Sequence, residues 1–435
     1  MITVDEALER ILSYVDVLEP EEQPLLEALG QVLAEDVTSD LIIPPLDNTA
    51  MDGYAVRAKD TAGASQDSPV QLHVTGEVAA GYIFEGEVAA GVAVRIMTGA
   101  PVPAGSDAIV PFEETDEPFG QAPECSHQVD ATVQVFKEAQ PGANIRRAGE
   151  DMRKGQLVMR KGRVLRASEI GVLSSLGRAF AKVIRRPVVA ILSTGDELVE
   201  AGQPKPPAKI YDANAYSVGA LVRRYGGVPR LLGIARDTVD ALTAKIHEGL
   251  DADMLVTSAG VSRGDYDMVK EVLAREGDID FWTVAMKPGK PLAFGCFRKE
   301  GRRVPHIGLP GNPVSSMVTF ELFGRAALMK MMGKTDWQRP MIKAVAEERI
   351  VNRDDPRQFY ARCIVTERDG RYYASLTGPQ GSGVLTSMVY ANALTVIEPE
   401  VDEVQPGEEI DVIMLDWSHG EEWGTLYPPP RGKES

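Results

Sequence analysis

Four short segments combine glycine with side chains able to do chemistry. Ser193-Thr194-Gly195-Asp196-Glu197-Leu198 sets two hydroxyls and a glycine beside two carboxylates, and the stretch from Thr257 to Asp267 carries Ser258, Gly260, Ser262, Arg263, Gly264, Asp265 and Asp267. Met286-Lys287-Pro288-Gly289-Lys290-Pro291 holds two lysines in a proline-glycine turn, and Gly308-Leu309-Pro310-Gly311-Asn312-Pro313-Val314-Ser315-Ser316 leads into a long apolar segment. Glycines let a ligand approach the backbone, and free N–H groups at a helix start attract an anion. Carboxylates in the same turns would repel that anion unless a hard cation such as magnesium sat between them. Magnesium takes only one or two protein carboxylates together with phosphate oxygens. Two ammonium groups held close together repel, which a phosphate or oxyanion relieves. Asn312 suits an N-cap and Pro313 the first helical position, and no acidic residue follows to neutralise the positive helix end. Each segment also has an ordinary reading as a capped βα turn, a capped helix start or a solvated basic turn. Taken together, they suit a phosphorylated ligand bridged by a divalent cation.

These segments need elements to hold them. From Arg186 to Met332 strands and helices alternate, with strands expected at Val188–Ser193, Pro229–Ala235, Met254–Thr257, Phe281–Ala285, Leu292–Cys296 and His306–Leu309. Helices are expected at Ala213–Tyr225, Val239–Gly249, Asp267–Glu276 and Pro313–Met331. That alternation is the signature of a doubly wound parallel sheet covered on both faces, with ligands at the carboxyl ends of its strands. All four segments then fall at one sheet edge.

Outside this domain the pattern changes. Residues 1–46 read as two helices, the first with an apolar face of Val4, Ala7, Leu8 and Ile11, and then an extended segment stopped by Pro44-Pro45. Short β runs at Gln71–Thr75, Val92–Met97, Ala108–Pro111 and Thr132–Val135 form a small all-β domain, and Ser168–Leu176 resumes as helix. Met341–Met414 returns to β runs, and the proline-rich segment after Trp417 reads as a mobile tail. The expected fold class is α/β plus β, multidomain. A first domain made of 1–46 and 140–177 flanks an inserted β domain at 47–139; an α/β domain spans 178–335, a β-barrel-like domain 336–415, and a tail 416–435.

Composition narrows the function. Lys plus Arg number 46 against 64 Asp plus Glu, a formal net charge of −18, which disfavours nonspecific binding to nucleic acid or to anionic membranes. Cys125, Cys296 and Cys363 are far apart and without CxxC spacing, so they support neither a disulfide framework nor a zinc site. No run has the length of a membrane span and Met1–Leu12 lacks the character of a signal peptide, so a cytoplasmic location is expected.

The same residues carry a family resemblance. Thr49-Ala50-Met51-Asp52-Gly53-Tyr54-Ala55, Met97-Thr98-Gly99-Ala100-Pro101, Ser193 to Leu198, Gly260-Val261-Ser262, Lys287 to Pro291 and Leu309 to Pro313 resemble, in order, the motifs of molybdopterin molybdotransferases, including the E domain of gephyrin. The resemblance implies a homodimer whose α/β domain is molybdopterin-binding-like, and an activity that inserts molybdate into adenylylated molybdopterin with release of AMP. It implies Mg2+ as cofactor and contacts with other proteins of molybdenum cofactor biosynthesis. Carried over by position, Glu197 and Asp267 are the metal-associated carboxylates, Lys287 and Lys290 hold oxyanion or phosphate, and Asp237 is a further functional carboxylate. Asp52 and Thr98 serve the site of the opposite subunit. Thr194, Gly195, Ser258, Gly260, Ser262, Gly264, Pro310, Gly311, Asn312 and Ser315 line the ligand. Two positions depart from the commonest pattern: Ala259 stands where a second glycine is usual, and Arg263 where an apolar residue is usual. A scaffold member that has lost turnover, and a transferase specialised for tungstate, are the alternative readings.

Overall fold

The computed structural model describes residues 1–117, 131–236, 238–258, 271–273 and 275–416. The chain divides into two compact units, one of residues 1–34, 162–170 and 180–435, the other of 35–161 and 171–179. In the first unit, helix α1 (Val4–Ser13) starts with a capping box in which Thr3 and Glu6 satisfy each other's backbone N–H groups. Ala7 and Ile11, on its apolar stripe, are buried. The second helix expected before residue 46 does not form. Instead Pro20–Pro24 is strand β1, paired antiparallel with Phe180–Ile184. The cause is compositional: prolines bracketing Glu-Glu-Gln cannot sit inside a helical turn.

The second unit is built on a five-stranded sheet. Its strands are β2 (Gly53–Val56), β3 (Val70–Val78), β4 (Val92–Ile96), β5 (Ala108–Pro111) and β6 (Ala131–Val135), in spatial order β5-β2-β4-β3-β6. Four of them fall on the expected runs, β3 extending to Val78, while β2 forms where no strand was expected. β3 and β4 are parallel and β2 runs against β4, so the end of β3, the end of β4 and the start of β2 lie at one edge. Asp52 and Thr98 sit there. Glycine at 53 is required by closeness, since a Cβ would stand 2.0 Å from the Val110 carbonyl oxygen.

The chain then returns to the first unit. After α2 (Ala167–Ser175) and β7 (Phe180–Ile184) come β8 (Val188–Thr194), α3 (Asn214–Arg224), β9 (Val228–Ala235), α4 (Val239–Gly249) and β10 (Met254–Ser258). Next are β11 (Gly277–Thr283), β12 (Pro291–Lys299) and β13 (Arg302–Leu309). Helix α5 follows, as Pro313–Thr319, a π-helical turn Phe320–Gly324 and Arg325–Met331. The sheet order is β9-β8-β10-β13-β12-β11.

The sheet is mixed, where the alternation of elements predicts it parallel throughout. β9, β8, β10 and β13 are parallel, but β12 runs against β13 and β11 against β12. A parallel pair needs a crossover of a dozen residues or more. Between β12 and β13 there are only Glu300 and Gly301, both at positive φ, as a tight hairpin requires. Of the expected helix Asp267–Glu276, residues 271–273 and 275–276 are described and helical, and the other half lies outside the described residues.

β14 (Met341–Ala346), β15 (Arg362–Arg368), β16 (Arg371–Leu376), β17 (Ala393–Val396) and β18 (Glu409–Met414) close a barrel in the order β14-β16-β15-β17-β18. Barrel and α/β domain share one core. Ala7 and Ile11 of α1, Val189 and Val256 of the sheet, Phe320 and Phe323 of α5, and Leu394 and Ile413 of the barrel belong to a single buried cluster. Among the described residues no helix is long and apolar enough to cross a membrane.

Candidate active site

Direction decides where the chemistry gathers. β8, β10 and β13 end side by side, with Ser193 opposite Ser258 and Ser258 opposite Leu309. β11 is antiparallel to β12 and β12 to β13, so β11 ends, and β12 begins, at that same edge. The Lys287–Lys290 turn between them therefore joins the carboxyl edge despite the mixed sheet. The strand order also reverses here, because β8 leads to β9 on one side and β10 lies on the other, the place where such sheets bind ligands.

The first turn brings Glu197 back over the strand end. Thr194 is buried, while Glu197 is exposed and folds over Gly195. At Gly195, φ is +141°, and a Cβ there would stand 2.5 Å from Glu197 Oε2. The glycine thus makes a cradle that any side chain would fill. Ile210 donates its N–H to the Glu197 carbonyl at 2.9 Å, and Lys209 donates to the Asp196 carbonyl. Among the described residues no three of His, Cys, Asp and Glu gather as a metal site. Magnesium needs fewer, and the exposed Glu197 carboxylate beside that cradle fits its demand for one or two carboxylates and phosphate oxygens.

The two lysines differ. Lys287 pairs with Asp355 at 3.3 Å, and its Nζ stands 4.7 Å from the ring centre of Phe359. Asp355 is itself gripped by Arg357 through two 2.6 Å hydrogen bonds. Arg357, and secondarily Lys287, hold the Asp355 carboxyl below its usual range. Lys290 is exposed and makes no ion pair among the described residues. Gly289 between them has φ +107°, and a Cβ there would stand 2.6 Å from Thr319 Oγ1, so the turn sits directly on α5. In α5 the hydroxyls of Thr319, at this turn, and of Ser316 are buried without a hydrogen-bond partner among the described residues.

Asn312 takes the cap position of α5, but its side chain makes no capping hydrogen bond, contrary to the sequence expectation. Its carbonyl accepts from Ser316 N–H at 2.9 Å, and Val314 donates its N–H to the Ser382 carbonyl at 3.1 Å. A barrel loop thus supplies the acceptor that the cap was expected to provide. No acidic residue occupies the first turn, Ser315 is buried there, and Pro310 is buried behind it. Asn214, the first residue of α3, donates from Nδ2 to Ser258 Oγ at 2.7 Å and to the Gly311 carbonyl at 2.8 Å. Near Thr257, His306 is fully buried with burial pushing its pKa down to about 3, so it stands neutral in the sheet.

Sequence reasoning missed Arg362. Its side chain is fully buried, yet its partners are neutral: Nε donates to Ser387 Oγ and Nη2 to the Gly381 carbonyl, each at 3.1 Å. Nη1 has no partner among the described residues, and burial pulls the guanidinium down to about 10. A buried charge without a counter-charge is costly and calls for an anion. The chain ties this cation to the site, because Tyr360 donates its N–H to the Lys287 carbonyl and Gly381 precedes the Ser382 that receives Val314. The available signal was one arginine opening an apolar strand.

In the second unit, Asp52 Oδ1 accepts from the Thr98 N–H at 2.6 Å and from the Thr98 hydroxyl at 2.7 Å. Those two donors, the backbone one first, hold the Asp52 carboxyl below its ordinary range against the opposing effect of burial. Asp237, Gly260, Ser262, Gly264 and Asp267, with Ala259, Arg263 and Asp265, lie outside the described residues.

A doubly wound domain with carboxylate and lysine turns at its carboxyl edge, fused to a small barrel, defines the class as a multidomain α/β protein with its candidate site at the strand ends. Comparison is more specific. The sequence matches the MoeA N-terminal region (domain I and II) over residues 2–177, the probable molybdopterin binding domain over 190–330, and the MoeA C-terminal region (domain IV) over 343–415. Molybdopterin molybdenumtransferase 2 of Mycobacterium tuberculosis is 38% identical over 419 residues, spanning 95% of this chain and 99% of that protein. The molybdopterin molybdenumtransferase of Haemophilus influenzae is 36% identical, over 95% of this chain and 98% of its own. The crystal structure of a molybdopterin biosynthesis MoeA protein from Pyrococcus horikosii superposes with a TM-score of 0.78 at 31% identity, covering 96% of this chain and 99% of that one. This chain belongs to the molybdopterin molybdenumtransferase family.

Proposed function

We propose that the protein inserts molybdate into adenylylated molybdopterin with release of AMP, using magnesium, in the cytoplasm and as a homodimer. The observation that carries this reading is the meeting of the Glu197 turn, the Lys287–Lys290 turn and the start of α5 at one sheet edge, in a chain of this family. Glu197 and Asp267 would hold magnesium, which when bound neutralises phosphate charge and polarises the bond to be cut. Lys290, Arg362 and the open end of α5 bind the oxyanion, and Lys287, already paired with Asp355, orients the turn. Ser258 and Ser315 supply hydroxyl donors at the strand and helix ends. Asp52 and Thr98 act at the site of the opposite subunit, and Asp237 adds a further carboxylate. The division into 1–46 with 140–177, 47–139, 178–335 and 336–415 goes with this assignment, as do contacts with other cofactor-biosynthesis proteins.

The test is AMP release from adenylylated molybdopterin in the presence of molybdate and magnesium, followed chromatographically. Turnover that vanishes on chelation and in Asp267→Ala is the expected result. Ligand binding with no AMP release would overturn it.

A further inference from the structure

Asn214 opens α3, yet its side chain has no part in capping the helix. Asp212 does that work, accepting the Ala215 N–H at 3.1 Å. The Asn214 amide turns instead to the ends of two strands. Nδ2 spends both hydrogens, one on Ser258 Oγ at 2.7 Å and one on the Gly311 carbonyl at 2.8 Å, in a side chain only 9% exposed. A carbonyl can only accept, so the orientation of this amide is fixed by its partner.

We propose that Asn214 is a positioning residue that presents two hydrogen-bond donors, the Ser258 hydroxyl and the Asn312 N–H, to the phosphate or oxyanion of the substrate. The inference rests on the transferase reading. Each donor follows from one bond. Ser258, buried at the strand end, receives a hydrogen from Asn214 at Oγ, so its own proton is turned away from the amide. Gly311 has its carbonyl drawn toward α3, and a planar trans peptide sets the following N–H, that of Asn312, in the opposite direction. Gly311 and Asn312 are themselves exposed at this edge. Ser258 and Leu309 are paired in register, which places the two donors on adjoining strand ends.

Asn214→Asp keeps the shape but removes both donated hydrogens, setting a carboxylate against two acceptors. AMP release by this variant should show KM for adenylylated molybdopterin raised about 10-fold, with kcat within about 2-fold of the parent, because binding donors are lost while the reacting groups stay. Asn214→Ala places no charge and carries the same expectation should the aspartate variant not fold. Ser258→Ala combined with Asn214→Ala should be less damaging than the product of the single effects, since part of the Asn214 effect runs through the Ser258 hydroxyl. A purely structural role predicts the reverse, kcat falling in step with the folded fraction at unchanged KM, and that result, or unchanged kinetics, overturns the inference. Calorimetric titration with AMP separates it from the reading beneath it. A parent protein that binds AMP but never releases it from substrate sinks the transferase reading alone. Equal AMP affinity in parent and Asn214→Asp sinks the positioning role.

Discussion

The two sheet edges that carry the candidate residues are built differently. In the second unit a single pair suffices: Thr98 gives Asp52 both a backbone and a hydroxyl hydrogen, and the carboxylate is ordered within one sheet. At the α/β edge several groups are held by partners distant in sequence. Lys287 depends on Asp355, the Gly289 turn on Thr319, the start of α5 on Ser382, and Ser258 on Asn214. The first arrangement fixes the ionisation of one acid. The second assembles cations and donors from distant segments, so a change in the barrel reaches the lysine turn.

Five substitutions would sharpen or break that contrast. The largest effect is expected from Arg362→Met, which keeps the volume and removes the charge. Turnover should fall on the order of 100-fold, while the thermal midpoint holds or rises because a buried ion without a counter-ion is replaced by an apolar chain. Loss of stability with activity intact would make Arg362 structural. Next, Lys290→Met should lower kcat/KM by roughly 10-fold or more without changing stability. Lys287→Met should cost less activity but about 0.5 kcal/mol of stability, since its half-exposed pair with Asp355 is a modest one. The opposite ranking in denaturant titrations and kinetics would reverse the roles of the two lysines.

Gly195→Ala should destabilise by about 1 kcal/mol, from its positive φ. It should also raise the magnesium concentration needed for half-maximal rate by displacing Glu197, and an unchanged metal titration would separate Glu197 from the cation. The smallest change is predicted for Thr98→Ala. Asp52 is depressed in the folded state, so its contribution to stability is present above its unfolded pKa and is lost as pH falls through the folded value. Removing the hydroxyl raises the folded pKa, so the loss begins at higher pH. A carboxyl NMR titration of Asp52 that does not move would show that the backbone N–H alone sets it.

Much of this was legible in the chain. The central strands β8 and β10 are apolar runs buried on both faces, and their period and bounding turns announce them. The glycines at 195 and 289 pointed to close approach, and positive φ is what the structure shows. The mixed sheet was written in the two-residue Glu300-Gly301 connection, too short to cross over, but strict alternation of elements overrode that clue. Arg362 and Asn214 could not be read in the same way. Their importance lies in what surrounds them, a loop at residues 381–387 and two strand ends 44 and 97 residues away, and local pattern carries no such distances.

The shared core has a consequence for the order of synthesis. α1 is made long before the partners of its core, since Ala7 and Ile11 share a cluster with Phe320 and Phe323 of α5 and with Leu394, Ile413 and Leu415. Nascent α1 must wait for α5, which ends at Met331, whereas the second unit has all its residues by position 179. Vectorial translation therefore favours early folding of the second unit and leaves the amphipathic α1 unburied until α5, its packing partner, arrives.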